Sequence, residues 1–168
     1  MSKNANEKIY YSIAGEYLYK GNMKEGDREA TANEIEYWNT YGSTIQKDKN
    51  EKNAENTAKY TEALNAPLVC GEYFVIADWI NTYTNTYTYA KKQEETDSAT
   101  RADIVVFDRT GKLVTITITC LADFEPYYNT VAEEWARITD LRNKYMVEIQ
   151  NTTAPKDIVI SYEKVLAE

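Results

Sequence analysis

The sequence predicts an α+β protein with helices packed on one face of a mostly antiparallel sheet. Three observations carry that prediction. A capping-box segment opens a helical pattern in the first half, residues 113–120 alternate with period two, and a long amphipathic stripe follows them. The expected order is N-terminal helices, an antiparallel three-strand meander, a long helix and a final strand. A chain of 168 residues suits one domain. Its helical part is expected over about residues 5–66, and its sheet-containing part over about 68–168.

Ile9, Ile13, Tyr17 and Leu18 fall close to one stripe of an amphipathic helix, which Gly21-Asn22 and Gly26 then break. Thr31-Ala32-Asn33-Glu34 has capping-box spacing, and Ile35, Trp38, Tyr41 and Ile45 follow at helical intervals. Residues 46–56 are polar and lack a clear apolar stripe. Ala54, Ala58, Thr61 and Leu64 predict a weaker third helix ending near Pro67. Residues 68–80 are strongly apolar and fit a strand or a helix.

Thr82-Tyr83-Thr84-Asn85-Thr86-Tyr87-Thr88-Tyr89 alternates in strand-favouring residue types, which would put Tyr83, Tyr87 and Tyr89 on one face. Residues 103–108 form a second apolar run, and Arg109-Thr110-Gly111-Lys112 has hairpin-loop chemistry. On the returning strand Val114, Ile116, Ile118 and Cys120 face one way, and Thr115, Thr117 and Thr119 the other. Asp123 as cap and Pro126 in the first turn predict a helix with Val131, Trp135, Ile138, Leu141 and Tyr145 buried. A loop at 151–155 leads to a last strand over 157–166, with Ile158, Ile160 and Tyr162 alternating.

Composition bounds the chemistry. The chain has no histidine, so triads, zinc sites and facial-triad iron sites built on imidazole are excluded, while carboxylate-only magnesium or calcium chemistry is not. The net charge of −8 argues against a nucleic-acid partner, because binding phosphates needs clustered Lys and Arg. Lys47-Asp48-Lys49-Asn50-Glu51-Lys52 mixes both signs and reads as a solvated face. The acidic groups Glu94, Glu95 and Asp97, and the pair Glu133 and Glu134, read as solvated surface. Cys120, on the apolar strand face, reads as a buried inert thiol, and neither it nor Cys70 needs a disulfide. No window approaches a membrane span, and residues 1–7 lack the apolar core of a signal peptide, so no membrane partner and a cytoplasmic location are expected.

Arg101-Ala102-Asp103-Ile104-Val105-Val106-Phe107-Asp108-Arg109-Thr110-Gly111-Lys112, with Cys120-Leu121-Ala122 downstream, resembles the core of the nuclease domain of type I restriction enzyme motor subunits. That domain belongs to the PD-(D/E)XK superfamily. The resemblance, about twenty residues long, makes Asp103 the counterpart of the family's metal-binding aspartate. It also places Thr119 where the family has glutamate and Leu121 where it has lysine. Without those two groups a metal loses an anionic ligand and the hydrolytic water its activator, so the resemblance implies a nuclease-like remnant that does not cut DNA.

With no catalytic constellation, no metal-ligand cluster and no cofactor motif in the sequence, the expected mode of action is non-enzymatic. The fifteen tyrosines add rigid contact area with a polar end. Tyr83, Tyr87, Tyr89, Thr115, Thr117 and Thr119 are the candidate partner surface, for protein partners or for self-association. A subunit of a larger assembly is expected. The Asn, Thr, Tyr and Lys content, with few Gly and Pro, suits a bacteriophage connector or ring component in a virion. A degenerate nuclease-like domain acting in restriction or anti-restriction, and a small-molecule-binding domain, are the alternatives.

Overall fold

A computed structural model describes residues 7–96 and 100–164. The first six residues, Asp97 and the end of the expected final strand lie outside them. Among the described residues are four α-helices and two antiparallel sheets, so the α+β class stands. The chain divides into two compact units, Met1–Asn56 with Tyr145–Ile160, and Thr57–Lys144 with Ser161–Glu168.

The first unit begins with strands where a helix was expected. β1 (Ile9–Ser12) and β2 (Tyr17–Lys20) form a hairpin, and β3 (Arg28–Glu29) pairs with the other side of β1. Tyr-rich tetrapeptides favour strands, and the turn between them is built for reversal. Glu16 takes a φ of 51° and its N–H returns to the Ser12 carbonyl at 2.8 Å. At Gly15 a Cβ would sit 2.2 Å from the Tyr17 ring, so a larger residue in this bend would have to displace that ring. Of the residues expected to share a helical stripe, Ile9, Tyr17 and Leu18 lie on the hairpin strands and Ile13 is exposed in the turn between them.

α1 (Ala32–Tyr41) follows the sequence reading closely. Thr31 and Glu34 form the reciprocal capping box, and Gly42 at φ 67° ends the helix in the left-handed conformation. α2 (Ile45–Leu64) is one helix of 20 residues where a polar gap and a weak third helix were expected. Thr44 opens it, its hydroxyl accepting from the Lys47 N–H at 3.2 Å and its carbonyl from the Asp48 N–H at 3.1 Å. Lys, Glu, Gln and Ala then sustain the helix by propensity without an apolar stripe. Tyr11, Tyr37, Asp48, Asn56, Ile149, Ile158 and Ile160 are buried in this unit.

The second unit holds a four-stranded sheet in the order β4-β5-β6-β7, not a three-strand meander. β4 (Leu68–Cys70) and β5 (Tyr73–Val75) form a hairpin around Gly71, which takes a φ of 62°. A 3-10 turn at Ala77–Trp79 then leads into α3 (Ile80–Glu95), on the segment expected to be a strand. The decisive spacing is Tyr83, Tyr87 and Ala90, at intervals of four and three, which is one helical face. Thr86 and Thr88 tolerate the helix by donating their hydroxyls to the carbonyls of Thr82 and Thr84, at 3.0 and 2.9 Å.

β6 (Ala102–Phe107) and β7 (Leu113–Ile118) form the hairpin read from the sequence, in unbroken register from Ala102 opposite Ile118 to Phe107 opposite Leu113. Their turn closes on the Asp108 carboxylate, which accepts from the N–H groups of Thr110 and Lys112, with Gly111 at φ 81°. α4 (Leu121–Asn151) starts two residues before Asp123, so Asp123 lies in its first turn rather than capping it and Pro126 sits inside the helix. Its buried positions are Leu121, Phe124, Val131, Glu134, Ile138 and Ile149, and Trp135 is exposed.

The core of this unit joins Val75, Ile104, Val106 and Ile118 on one sheet face to Tyr83 of α3 and Phe124 and Val131 of α4. Helices on one face of an antiparallel sheet is the layering expected. Burying each of these side chains contributes roughly 1.5–3 kcal/mol. After α4 the chain turns through a 3-10 segment at Pro155–Asp157 and runs extended, belonging to neither sheet. Ile158, Ile160 and Tyr162 are buried while Val159 is 82% exposed, so the alternation read as a strand is a real burial pattern without a ladder.

Candidate association surface

On the face of the β4-β5-β6-β7 sheet opposite the helices, Val69, Val105 and Leu113 are exposed. Side chains alternate across each strand, so burying Leu68, Cys70, Tyr73, Val75, Ile104, Val106, Val114, Ile116 and Ile118 turns their neighbours outward. Directly paired residues then form an apolar row across all four strands. Val69 stands opposite Phe74, Phe74 opposite Phe107, and Phe107 opposite Leu113. Val69 is 70% exposed and Leu113 55%, with the two phenylalanines half-buried between them. Trp79 stacks on Phe107 at 5.0 Å and stiffens the middle of the row.

The next rows are Val105 opposite Thr115 and Asp103 opposite Thr117, all exposed. Thr117 donates its hydroxyl to the Asp103 carboxylate at 2.7 Å. The surface is therefore an apolar band edged by hydroxyls and one carboxylate, a composition suited to contact with another protein. Val69, Phe74, Phe107 and Leu113 were not among the residues singled out from sequence. The alternation Leu113–Thr115–Thr117 was visible there, but the strand neighbours of Leu113 depend on the order of the sheet.

The candidate surface residues separate. Thr115 and Thr117 lie on the exposed face, and Thr119 is exposed just beyond the end of β7. The three tyrosines do not share a face, because their segment is helical. Tyr83 is 1% exposed and donates its hydroxyl to the Val105 carbonyl at 2.7 Å, and burial pushes its pKa up. Tyr87 is half-buried, stacked on Tyr128 at 4.4 Å, and only Tyr89 is open to solvent.

Asp103 stands on an exposed strand position, and among the described residues no group of three or more Asp, Glu or Cys side chains is placed to hold a metal ion. Glu94 and Glu95 are exposed, and Asp97 lies outside the described residues. Glu133 is exposed, but Glu134 is buried, correcting the reading of that pair as solvated. Arg137 grips both Glu134 oxygens at 2.9 and 2.6 Å and also donates to the Tyr162 carbonyl at 2.8 Å. Lys164 reaches the same carboxylate at 3.2 Å, so the network ties the extended segment to α4. The thiols are both free; Cys70 is the buried one, with burial raising its pKa, and Cys120 is half-buried.

No helix of the described residues is long and apolar enough to cross a membrane. No protein-family model, curated protein or solved structure matches this chain.

Proposed function

We propose that the protein works by association, as a subunit of a larger assembly, through the open face of its four-stranded sheet. The observation that carries this reading is the apolar row Val69–Phe74–Phe107–Leu113, paired strand to strand, with Val69 and Leu113 exposed at its two ends. Leaving such a row in water forfeits roughly 25 cal/mol for each Å² of apolar surface, which a bound partner would recover. Single exposed apolar side chains are ordinary, whereas a contiguous row spanning a sheet marks an interaction site. A ring or connector component of a bacteriophage particle is the setting that the composition suits best.

Light scattering on the purified chain across concentrations tests the reading. A mass that rises above the 19.3 kDa of one chain supports association. A constant single-chain mass counts against it. If magnesium-dependent plasmid cleavage accompanied that mass and was abolished by Asp103→Ala, the nuclease-like alternative would replace it.

A further inference from the structure

We infer that β7 is a self-pairing edge: the β7 strands of two copies align antiparallel and join their sheets into one. The inference rests on the association reading and names its occupant, a second copy of this chain.

The first support is an absence of protection. β7 ends the strand order β4-β5-β6-β7, and its six residues Leu-Val-Thr-Ile-Thr-Ile include no charge, proline or glycine. The β6–β7 register is continuous, so no bulge twists the edge away. Natural sheets guard edges with lysine, proline, bulges or brevity. The opposite edge has brevity, since β4 is three residues long. β7 has none of these devices, and its β-branched residues favour a further ladder.

The second support is charge, which selects the partner and its direction. The turn end of β7 carries Arg109 and Lys112 against the single carboxylate of Asp108. The exit end, running into α4, carries Asp103 and Asp123 against Arg101. One end is net basic and the other net acidic. Antiparallel pairing of two copies sets the basic end of each beside the acidic end of the other, whereas parallel pairing would set like ends together. On a chain of net charge −8, an uncharged strand with complementary ends lets two copies approach with little local repulsion. Opposed residues in an antiparallel pair share a face, so the threonine rows meet each other while Val114, Ile116 and Ile118 extend the buried face.

Sedimentation velocity on four chains tests this: wild type, Thr115→Lys/Thr117→Lys, Thr115→Val/Thr117→Val and Val69→Lys. The wild type is expected to dimerise, and the lysine pair to raise the dimer Kd by about tenfold or more through like charges facing across the joint. The valine pair, still uncharged and β-branched, and Val69→Lys, at the other edge, are expected to keep the dimer. Equal dimerisation of the lysine pair and the wild type, with loss in Val69→Lys, would overturn edge pairing and leave association through the open face standing. A wild type that stays monomeric at every concentration overturns self-pairing. Should the lysine chain melt early, hydrogen exchange on the wild type decides. Slowing of the 113–118 amides with concentration supports the joint, and unchanged rates overturn it.

Discussion

The Tyr83 hydroxyl donates 2.7 Å to the Val105 carbonyl, tying the first turn of α3 to the middle of β6. Tyr83 sits beneath the strand whose opposite face carries part of the open surface, so this bond helps fix the sheet that presents it. Tyr83→Phe keeps the ring and leaves the carbonyl unpaired, which costs about 1 kcal/mol. Thermal unfolding followed by circular dichroism should show a fall in Tm of roughly 2–4 °C. An unchanged Tm would mean that the bond contributes nothing net.

Glu134 offers a pH-dependent counterpart. The Arg137 guanidinium holds its carboxyl below the usual glutamate range, against an opposing effect of burial, and Lys164 adds to the lowering. A carboxylate favoured in the folded state means fewer bound protons there than in the unfolded chain. Its stabilisation is full above the ordinary value of 4.5 and is lost as pH falls through the depressed folded value. Glu134→Gln should cost about 1.5–3 kcal/mol near neutrality. The gap between variant and wild type should close as the solution is acidified below 4.5, and a gap that stayed constant would contradict the assignment.

Asp48, 2% exposed, accepts the Tyr37 hydroxyl at 2.6 Å and has the Lys156 ammonium 3.7 Å away. Tyr37→Phe removes the short bond to a buried carboxylate and should lower stability by about 1.5–3 kcal/mol in urea unfolding. Because a phenyl ring still fills the space beside Tyr41, a loss smaller than that of Tyr83→Phe would show that Lys156 alone suffices for Asp48.

What could be read from the sequence follows from how local each determinant is. The capping box of α1 and the β6–β7 hairpin are set by residues within a few positions of one another, and both formed as read. The segments at 9–20 and 82–89 are both rich in tyrosine, yet one is a hairpin and the other a helix. Tyrosine favours a strand in both, and threonine adds to that preference in the second. A turn with Glu16 at φ 51° reverses the first, whereas Tyr83, Tyr87 and Ala90 give the second a helical face, its two tyrosines packed on Phe124 and Tyr128. Tertiary packing overrode propensity there. Trp135 and Glu134 exchanged their expected environments for a similar reason. Arg137 and Lys164 neutralise a carboxylate at a buried position, and Lys164 lies thirty residues away in sequence. The apolar row was invisible because it takes one residue from each of four strands, whose order the sequence does not show.

The central claim is that the open face of the β4-β5-β6-β7 sheet is the working surface, and sedimentation of Val69→Lys/Leu113→Lys beside the wild type tests it most directly. Both positions are exposed, at 70% and 55%, so the charges should leave the fold and its melting unchanged. The predicted result is a wild type that forms species larger than the β7-paired dimer and a double variant that stops at that dimer. A double variant that assembles as fully as the wild type would contradict the claim and place the contact elsewhere on the molecule.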